Sequence, residues 1–242
     1  MRIKIINPNT TQTMTDKIYD AAISVARSGT EIVAVSPEKG PASIDNFHDQ
    51  YATLTGLMEE VHKGVKDDFD GFIVAAACDP GLYAARQIAT VPVVGIGEAS
   101  MYMVSILAAK FSVVTVIKTI VPLLQEVVDR SGMKDKCVSI RSTSMSILEY
   151  EHDPERGRLE LTEECKKAVL EDGAEAICLG SAGMVKFAEG LEKELGVPVF
   201  DGVSAAVKLI EGLVDLGKKT SKILNYKYPG KKEYKGFPGI QP

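Results

Sequence analysis

The sequence predicts a parallel α/β protein of two similar lobes, related by a pseudo-twofold axis, with the active site in the cleft between them. Strand-like apolar segments alternate with amphipathic helical segments through most of the 242 residues, and the connections are short. One stretch of the chain also recurs, which indicates an internal duplication. Together these observations favour two flavodoxin-like or Rossmann-like lobes with parallel sheets.

The repeated stretch is a buried strand, a tight turn, a short helix and a second short strand. It covers residues 71–100, GFIVAAACDPGLYAARQIATVPVVGIGEAS, and recurs from Glu175 as EAICLGSAGMVKFAEGLEKELGVPVFDGVSAAV. Val91-Pro92-Val93 returns 106 residues later as Val197-Pro198-Val199. Ligands of open α/β sheets bind at the carboxyl ends of strands. The strand-end loops AAACDPG and GSAGM are therefore predicted to face each other across a ligand.

The first half reads as strands and helices in alternation. Strands are predicted over residues 2–6, 30–36, 72–77 and 91–95, and helices over the apolar positions from Met14 to Val25, over 49–66 and over 99–109. The run from 72 to 77 is continuously apolar, as expected of a strand covered on both faces. The loop PEKGPASIDN at 37–46 is long enough to have a function of its own.

The second half begins with a strand at 111–116, whose pattern resembles that of the first strand. Further strands are predicted at 137–141 and 174–179, with helices from Pro122 to Arg130, over 159–171 and over 202–216, whereas 142–158 shows no clear pattern. We predict that residues 1–95 and 207–242 form lobe 1 and that 96–206 form lobe 2. The tail from Lys218 has seven lysines and two Pro-Gly pairs, which indicates an extended arm, either a subunit contact or solvated.

Composition favours a small ligand over a polyanionic partner. A net charge of -5 gives no electrostatic reason to expect nucleic acid or an anionic membrane. The chain has neither an apolar run of membrane-spanning length nor a signal-peptide pattern, so a cytoplasmic location is expected. The four cysteines, at 78, 137, 165 and 178, have no CxxC spacing, and the three histidines share no metal-ligand spacing. We therefore expect free thiols and no metal site.

The loop Ala77-Cys78-Asp79-Pro80-Gly81 admits two interpretations. Its backbone N–H groups and the dipole of the helix it enters could hold an anion, a carbonyl or a developing enolate. Alternatively, Asp79 caps the following helix and Pro80 fills its first turn. The occurrence of one such loop in each repeat favours a ligand approached from two sides. Gly95 and Gly97 do not form a dinucleotide-binding fingerprint, because the third glycine and the downstream acid are out of register.

Five short motifs carry a resemblance to a known family. They are INPNTT at 6–11, GPASI at 40–44, DPGL with AAR at 79–86, LG-x-AGM at 179–184, and VPV with DGV at 197–203. In this order they resemble the hydantoin/allantoin racemase group of the aspartate/glutamate racemase superfamily, over nearly the whole chain up to the tail. The resemblance implies cofactor-independent racemisation of a small cyclic amide by two cysteines on opposite faces of the ring, in a homo-oligomer.

The two cysteine positions of that group are substituted in this chain. They fall on Ala76 and Ser181. Alanine cannot exchange a proton, and an unassisted serine hydroxyl is too weakly acidic to serve as a base near neutral pH. Little or no two-base racemisation is therefore predicted. Three explanations stay open: an engineered inactive form, a natural relative in which Cys78 has taken over as base, and a natural non-catalytic binder. Another carbon-acid enzyme of the superfamily, an amino-acid racemase or a decarboxylase, is a further alternative.

The resemblance also implies a set of substrate contacts beside positions 76 and 181. They are Asn9, Ser43, Ile44, Ala77, Cys78, Thr115, Ala182 and Gly183. Asn9 and Thr115 stand 106 residues apart and are therefore predicted to be equivalent in the two repeats. For each of these residues taken singly, helix or turn capping is the alternative.

Overall fold

The structure is a computed structural model that describes residues 1–240. The last two residues of the predicted lobe 1, 241 and 242, lie outside the described residues. Apolar segments of two to six residues form two separate four-stranded parallel sheets. The first sheet contains β1 (Arg2–Ile6), β2 (Glu31–Val35), β3 (Gly71–Val74) and β4 (Val93–Gly95). The second contains β5 (Phe111–Thr115), β6 (Cys137–Ser142), β7 (Ile177–Leu179) and β8 (Val199–Phe200).

The strand order is the same in both sheets, β2-β1-β3-β4 and β6-β5-β7-β8. The predicted α/β fold of two similar parallel-sheet lobes is therefore confirmed. The connecting helices are α1 (Gln12–Val25), α2 (Phe47–Ala52), α3 (Leu54–Lys66), α4 (Leu82–Ile88), α5 (Ile96–Leu107), α6 (Val121–Arg130), α7 (Ile147–His152), α8 (Pro154–Leu170), α9 (Ala188–Leu195) and α10 (Gly202–Asp215). Short 3₁₀ helices lie at Lys118–Ile120, Ala182–Phe187, Leu224–Tyr226 and Pro238–Ile240.

The register of the sheets corrects the predicted equivalence of Asn9 and Thr115. Ile3 stands opposite Gly71 in the first sheet, and Ser112 stands opposite Ile177 in the second. Phe72 stands opposite Lys4 and Val93, and Ile177 stands opposite Ser112 and Val199, so the 106-residue spacing of Val93 and Val199 corresponds to a spacing of 108 between Lys4 and Ser112. By this register Thr115 corresponds to Asn7 and not to Asn9. The prediction was wrong because the two repeats differ in length between their first and third strands.

Two helices cross between the sheets. Helix α5 follows β4 of the first sheet but packs against β7 and α6, and its Val104 belongs to the apolar core around β5. Helix α10 follows β8 of the second sheet but packs against β3 and β4, and its Ile210 belongs to the core around β1 and β3. The two helices touch closely, because a Cβ on Gly202 would lie 2.3 Å from the carbonyl oxygen of Ile96. The N-termini of α5 and α10 thus meet between the lobes.

Local capping explains where the helices differ from their prediction. The predicted helix at 49–66 is two helices that meet at Thr53, and α2 begins where the side chain of Asn46 accepts the N–H of Asp49 at 3.1 Å. The segment 142–158 contains α7 and the first turn of α8. Ser146 caps α7 reciprocally with Glu149, and the helix therefore starts on hydrogen bonds rather than on an apolar periodicity.

The tail packs against the first lobe of its own chain. The N–H of Thr220 donates to the carbonyl of Thr90 at 2.8 Å, and its hydroxyl donates to that of Val91 at 2.7 Å. The ammonium of Lys222 donates to the carbonyl of Arg86 at 2.6 Å. Between 218 and 240 the chain has short 3₁₀ turns and otherwise irregular backbone, which agrees with the arm predicted for this segment.

Candidate active site

A small cavity lies where the carboxyl ends of both sheets meet. From the first half its walls include Asn7 and Asn9 after β1, the run 75–78 after β3, and the side chains of Met14 and Ile44. The second half contributes the remaining lining residues: Val116, Ile120, Ile147, Gly180, Ser181 and Ala182. Ala76 and Ser181 thus line one cavity from opposite lobes.

The loop after β3, residues 75–81, is shaped by the carboxylate of Asp79. The N–H of Asp79 closes a turn on the carbonyl of Ala76 at 2.8 Å. The carboxylate accepts the N–H groups of Gly97 and Glu98, both at 2.8 Å, and therefore caps α5. The interpretation in which Asp79 caps the following helix is wrong, because Gly81 is at the N-cap of α4.

The glycine pair at 95 and 97 leaves room for this contact. A Cβ on Gly95 would lie 2.2 Å from Oδ1 of Asp79, and a Cβ on Gly97 would lie 2.1 Å from the carbonyl oxygen of Ala77. Any residue with a Cβ at position 95 or 97 would therefore clash with this loop. The two glycines therefore let the loop pack directly on the N-terminus of α5. This packing explains why glycines stand at 95 and 97 although they do not form a dinucleotide-binding fingerprint.

The charges behind the loop are buried and coupled. Burial raises the pKa of Asp79 to about 7, with a further contribution from the carboxylate of Glu98, and Arg130 acts in the opposite direction. Glu98 is itself ion-paired with Arg86. Burial also raises the pKa of the Cys78 thiol to about 12, and the negative charge of Asp79 adds to this effect. The Cys78 thiol therefore stays protonated near neutral pH, unlike a catalytic thiolate.

The loop after β7, residues 180–183, is supported by Thr115 and capped by Ser181. The hydroxyl of Thr115 donates to the carbonyl of Gly180 at 2.8 Å, and Thr115 is fully buried. The Ser181 hydroxyl accepts the N–H of Gly183 at 3.3 Å, which starts the 3₁₀ helix Ala182–Phe187. In the described chain Thr115 stands behind the loop and does not line the cavity.

Two more of the predicted contacts lie beside the cavity rather than in its lining. The Ser43 hydroxyl donates to the carboxylate of Asp45 at 2.8 Å. Gly183 lies under Ile147, because a Cβ there would be 2.5 Å from Cδ1 of Ile147. The structure places the other predicted contacts, Asn9, Ile44, Ala77, Cys78 and Ala182, in the lining.

Several lining residues were absent from the sequence-based set: Asn7, Met14, Ala75, Val116, Ile120, Ile147 and Gly180. Asn7 orients Asn9, since its amide donates to Oδ1 of Asn9 at 2.9 Å and also to the hydroxyl of Thr15. Asn7 is part of the INPNTT motif, so the sequence contained a signal that could have identified it as a lining residue. The isoleucines at 120 and 147 look like ordinary core residues in the sequence.

Apolar side chains narrow the cavity. Its volume is about 40 Å³, small against the roughly 300–1,000 Å³ of typical ligand pockets. Ile44 from the first half and Ile120 and Ile147 from the second are all at most 7% exposed.

Within residues 1–240, His, Cys, Asp and Glu side chains form no group of three or more that could hold a metal ion. Nor does this part of the chain contain a helix with the length and apolar character needed to cross a membrane. The cysteines at 78, 137, 165 and 178 are free thiols.

Comparison with known proteins gives consistent matches over almost the whole chain. The family model for Asp/Glu/Hydantoin racemase matches residues 3–210. A hydantoin racemase of Pseudomonas sp. (strain NS671) is 56% identical over 98% of this chain and 95% of its own length. A hydantoin racemase of Paenarthrobacter aurescens is 41% identical over 97% of this chain and 100% of its own.

Solved structures agree with the sequence matches. An allantoin racemase from Klebsiella pneumoniae superposes with a TM-score of 0.97 at 40% identity, over 100% of this chain and 99% of that one. Glutamate racemase from Francisella tularensis has a TM-score of 0.65 at 14% identity, which shows a shared fold alone.

Proposed function

Because the chain belongs to the Asp/Glu/hydantoin racemase family, we propose that its cavity binds a 5-substituted hydantoin or a related cyclic amide for proton transfer at the ring carbon. The observation that carries the proposal is that positions 76 and 181 line one cavity from opposite lobes. A planar intermediate held between them would present one face to each position. This is the arrangement that a two-base reaction requires.

The proposed chemistry needs no cofactor. With thiols at both positions, one thiolate removes the proton from the carbon between the ring carbonyl and the ring nitrogen. The electron pair moves to the carbonyl oxygen, and backbone N–H groups of the strand-end loops stabilise the resulting enolate. The opposite thiol then donates its proton to the other face, which inverts the configuration and leaves the thiols with exchanged protonation states.

In this chain neither position can carry out that exchange. Ala76 has no titratable group, and the Ser181 hydroxyl, which accepts the N–H of Gly183, is too weakly acidic to act as a base near neutral pH. Cys78 also lines the cavity, but its pKa of about 12 argues against a thiolate there. We therefore propose that the chain as it stands binds its ligand with little or no racemisation, and that cysteines at 76 and 181 restore it.

The apolar wall supports a hydantoin with an apolar substituent over allantoin. Met14, Ile44, Val116, Ile120 and Ile147 all face the cavity. The ureido group of allantoin would lose its hydrogen bonds to water against these side chains, at a cost of about 1–3 kcal/mol for each unpaired polar group. An alkyl substituent has no such cost. The hydantoin racemase of Pseudomonas sp. (strain NS671), at 56% identity, supports the same preference.

The test follows the optical rotation of a single enantiomer of a 5-alkyl hydantoin and of allantoin. Three proteins are compared: this chain, the Ala76→Cys/Ser181→Cys double variant, and the Ala77→Cys/Ser181→Cys control, which moves one thiol by a residue. We expect the first double variant to be at least about a hundredfold faster than the other two. Unchanged rotation on both substrates with this double variant would contradict the proposal.

The rival function is a non-catalytic binder of a small cyclic amide or carboxylate. It is favoured by the small, largely apolar cavity and by the absence of thiols at positions 76 and 181. Tight binding measured by calorimetry, together with continued inactivity after both thiols are restored, would support it. Turnover of a malonate or an amino acid would instead indicate another carbon-acid enzyme. Homo-oligomer formation stays a prediction, which sedimentation velocity can check.

A further inference from the structure

Arg130 connects the second lobe to the loop of the first lobe that carries position 76. It is the last residue of α6, which packs against β6 of the second sheet. Its Nη2 donates to the carbonyl of Cys78 at 2.9 Å and to the carbonyl of Asp79 at 3.2 Å. The same nitrogen lies 3.7 Å from Oδ2 of Asp79. One guanidinium therefore holds the loop by its backbone and by its charge.

The loop needs such support because its backbone is strained. Asp79 has a φ of 45°, in the left-handed region that L-residues other than glycine rarely adopt. The N–H of Asp79 also closes the turn on the carbonyl of Ala76 at 2.8 Å. Movement of residues 78 and 79 is therefore passed directly to residue 76, within a single turn.

Three observations explain why an arginine suits position 130. Its Nη2 lies in a rigid plane and reaches both adjacent carbonyl groups with its two N–H donors, which the flexible ammonium of lysine does less well. Its side chain is 25% exposed, so its charge is only partly screened by water. The guanidinium carbon also lies 5.8 Å from the ring centroid of Tyr83 in α4, the helix that follows the loop.

We propose that Arg130 is a positioning residue for position 76. It acts from the opposite lobe through the carbonyl groups of Cys78 and Asp79, and sets how the residue at 76 meets the ring. The inference rests on the proposed function, because position 76 matters only if the ligand is approached there. Small displacements of a reacting group reduce the rate of proton transfer strongly, whereas the binding of the ring depends on many contacts.

The first experiment uses the Ala76→Cys/Ser181→Cys form as the background. Arg130→Gln should lower kcat between about tenfold and a hundredfold, with KM within about twofold. Arg130→Lys should recover part of kcat, because an ammonium can still donate to one carbonyl. The matched control is Arg141→Gln, whose arginine is 20% exposed and pairs with Asp172 at 2.5 Å. An unchanged kcat in Arg130→Gln, or a rise in KM alone, would overturn the inference.

The second experiment needs no turnover and uses the chain as it stands. Hydrogen exchange of peptides covering residues 75–81 should accelerate at least about fivefold in Arg130→Gln and stay unchanged in Arg141→Gln. Equal exchange in the two variants would overturn the inference. If the double cysteine form does not racemise either substrate, the proposed function fails, and the exchange comparison still decides the role of Arg130.

Discussion

The backbone N–H of Gly97 donates to the carboxylate of Asp79 at 2.8 Å, which ties the loop after β3 to the first turn of α5. The two residues are 18 positions apart in the chain. Since α5 packs against the second sheet, this hydrogen bond links the loop that carries position 76 to the opposite lobe.

Gly97→Ala should destabilise the protein severely. The added Cβ would lie 2.1 Å from the carbonyl oxygen of Ala77, which is backbone and cannot turn away. We expect a loss of more than about 3 kcal/mol in the free energy of unfolding, measured by urea denaturation. Gly212→Ala in α10 is the control, because its Cβ meets nothing within 4 Å. That change should stabilise by up to about 1 kcal/mol, and a similar result for Gly97→Ala would contradict the packing described.

Asp79→Asn should change how stability depends on pH. Burial and the charge of Glu98 raise the pKa of Asp79 from 3.8 to about 7, so between these values the folded state holds more protons than the unfolded state. The contribution of Asp79 to stability is therefore fully present below about pH 4 and is lost as pH rises through about 7. The difference in free energy of unfolding between the unmodified chain and the variant should shrink over this interval.

Urea denaturation at several pH values measures that difference. Asn retains the side-chain shape but offers a single acceptor oxygen to two N–H groups, so a loss of stability at every pH is also expected. A gap that widens towards neutral pH would show that the carboxylate is ionised in the fold and stabilised there by Arg130.

Cys78 should resist alkylation in the folded chain. It is 1% exposed and its pKa is about 12, so near neutral pH iodoacetamide should label it only after unfolding. Ala76→Cys is the matched comparison, since it places a thiol in the same turn on a partly exposed position, and it should be labelled in the folded state. Mass spectrometry distinguishes the two sites. Labelling of Cys78 with a midpoint near pH 7 would favour the alternative in which it serves as the base.

Ile147→Ala should enlarge the cavity and lower stability. Ile147 is 4% exposed and covers the loop of Gly183. Its truncation should cost about 2–4 kcal/mol in the free energy of unfolding and should strengthen the binding of hydantoins with bulkier 5-substituents, measured by calorimetry. The control Ile106→Ala removes an isoleucine that is 81% exposed and should change neither quantity appreciably. Weaker binding of every hydantoin would contradict the proposed position of the substituent.

Much of the site could be predicted because its signals are local. The strand ends carry Asn9, the run 75–78 and the run 180–182, and in a parallel sheet strand ends meet at one edge. Thr115 was misplaced because a repeat offset measured on one strand pair does not hold for the other pair. Helix α7 was missed because its start depends on the reciprocal cap of Ser146 and Glu149, in a segment without apolar periodicity.

The sequence by itself determined the two parallel lobes and the family, and it predicted that Ala76 and Ser181 occupy the two cysteine positions of that family. These follow from hydrophobic periodicity and motif order, which are properties of neighbouring residues. Only the tertiary structure decided that Asp79 caps α5, that Arg130 reaches across the lobes, and that Ile147 lines the cavity. Each of those contacts joins residues far apart in the chain, and packing geometry brings them together.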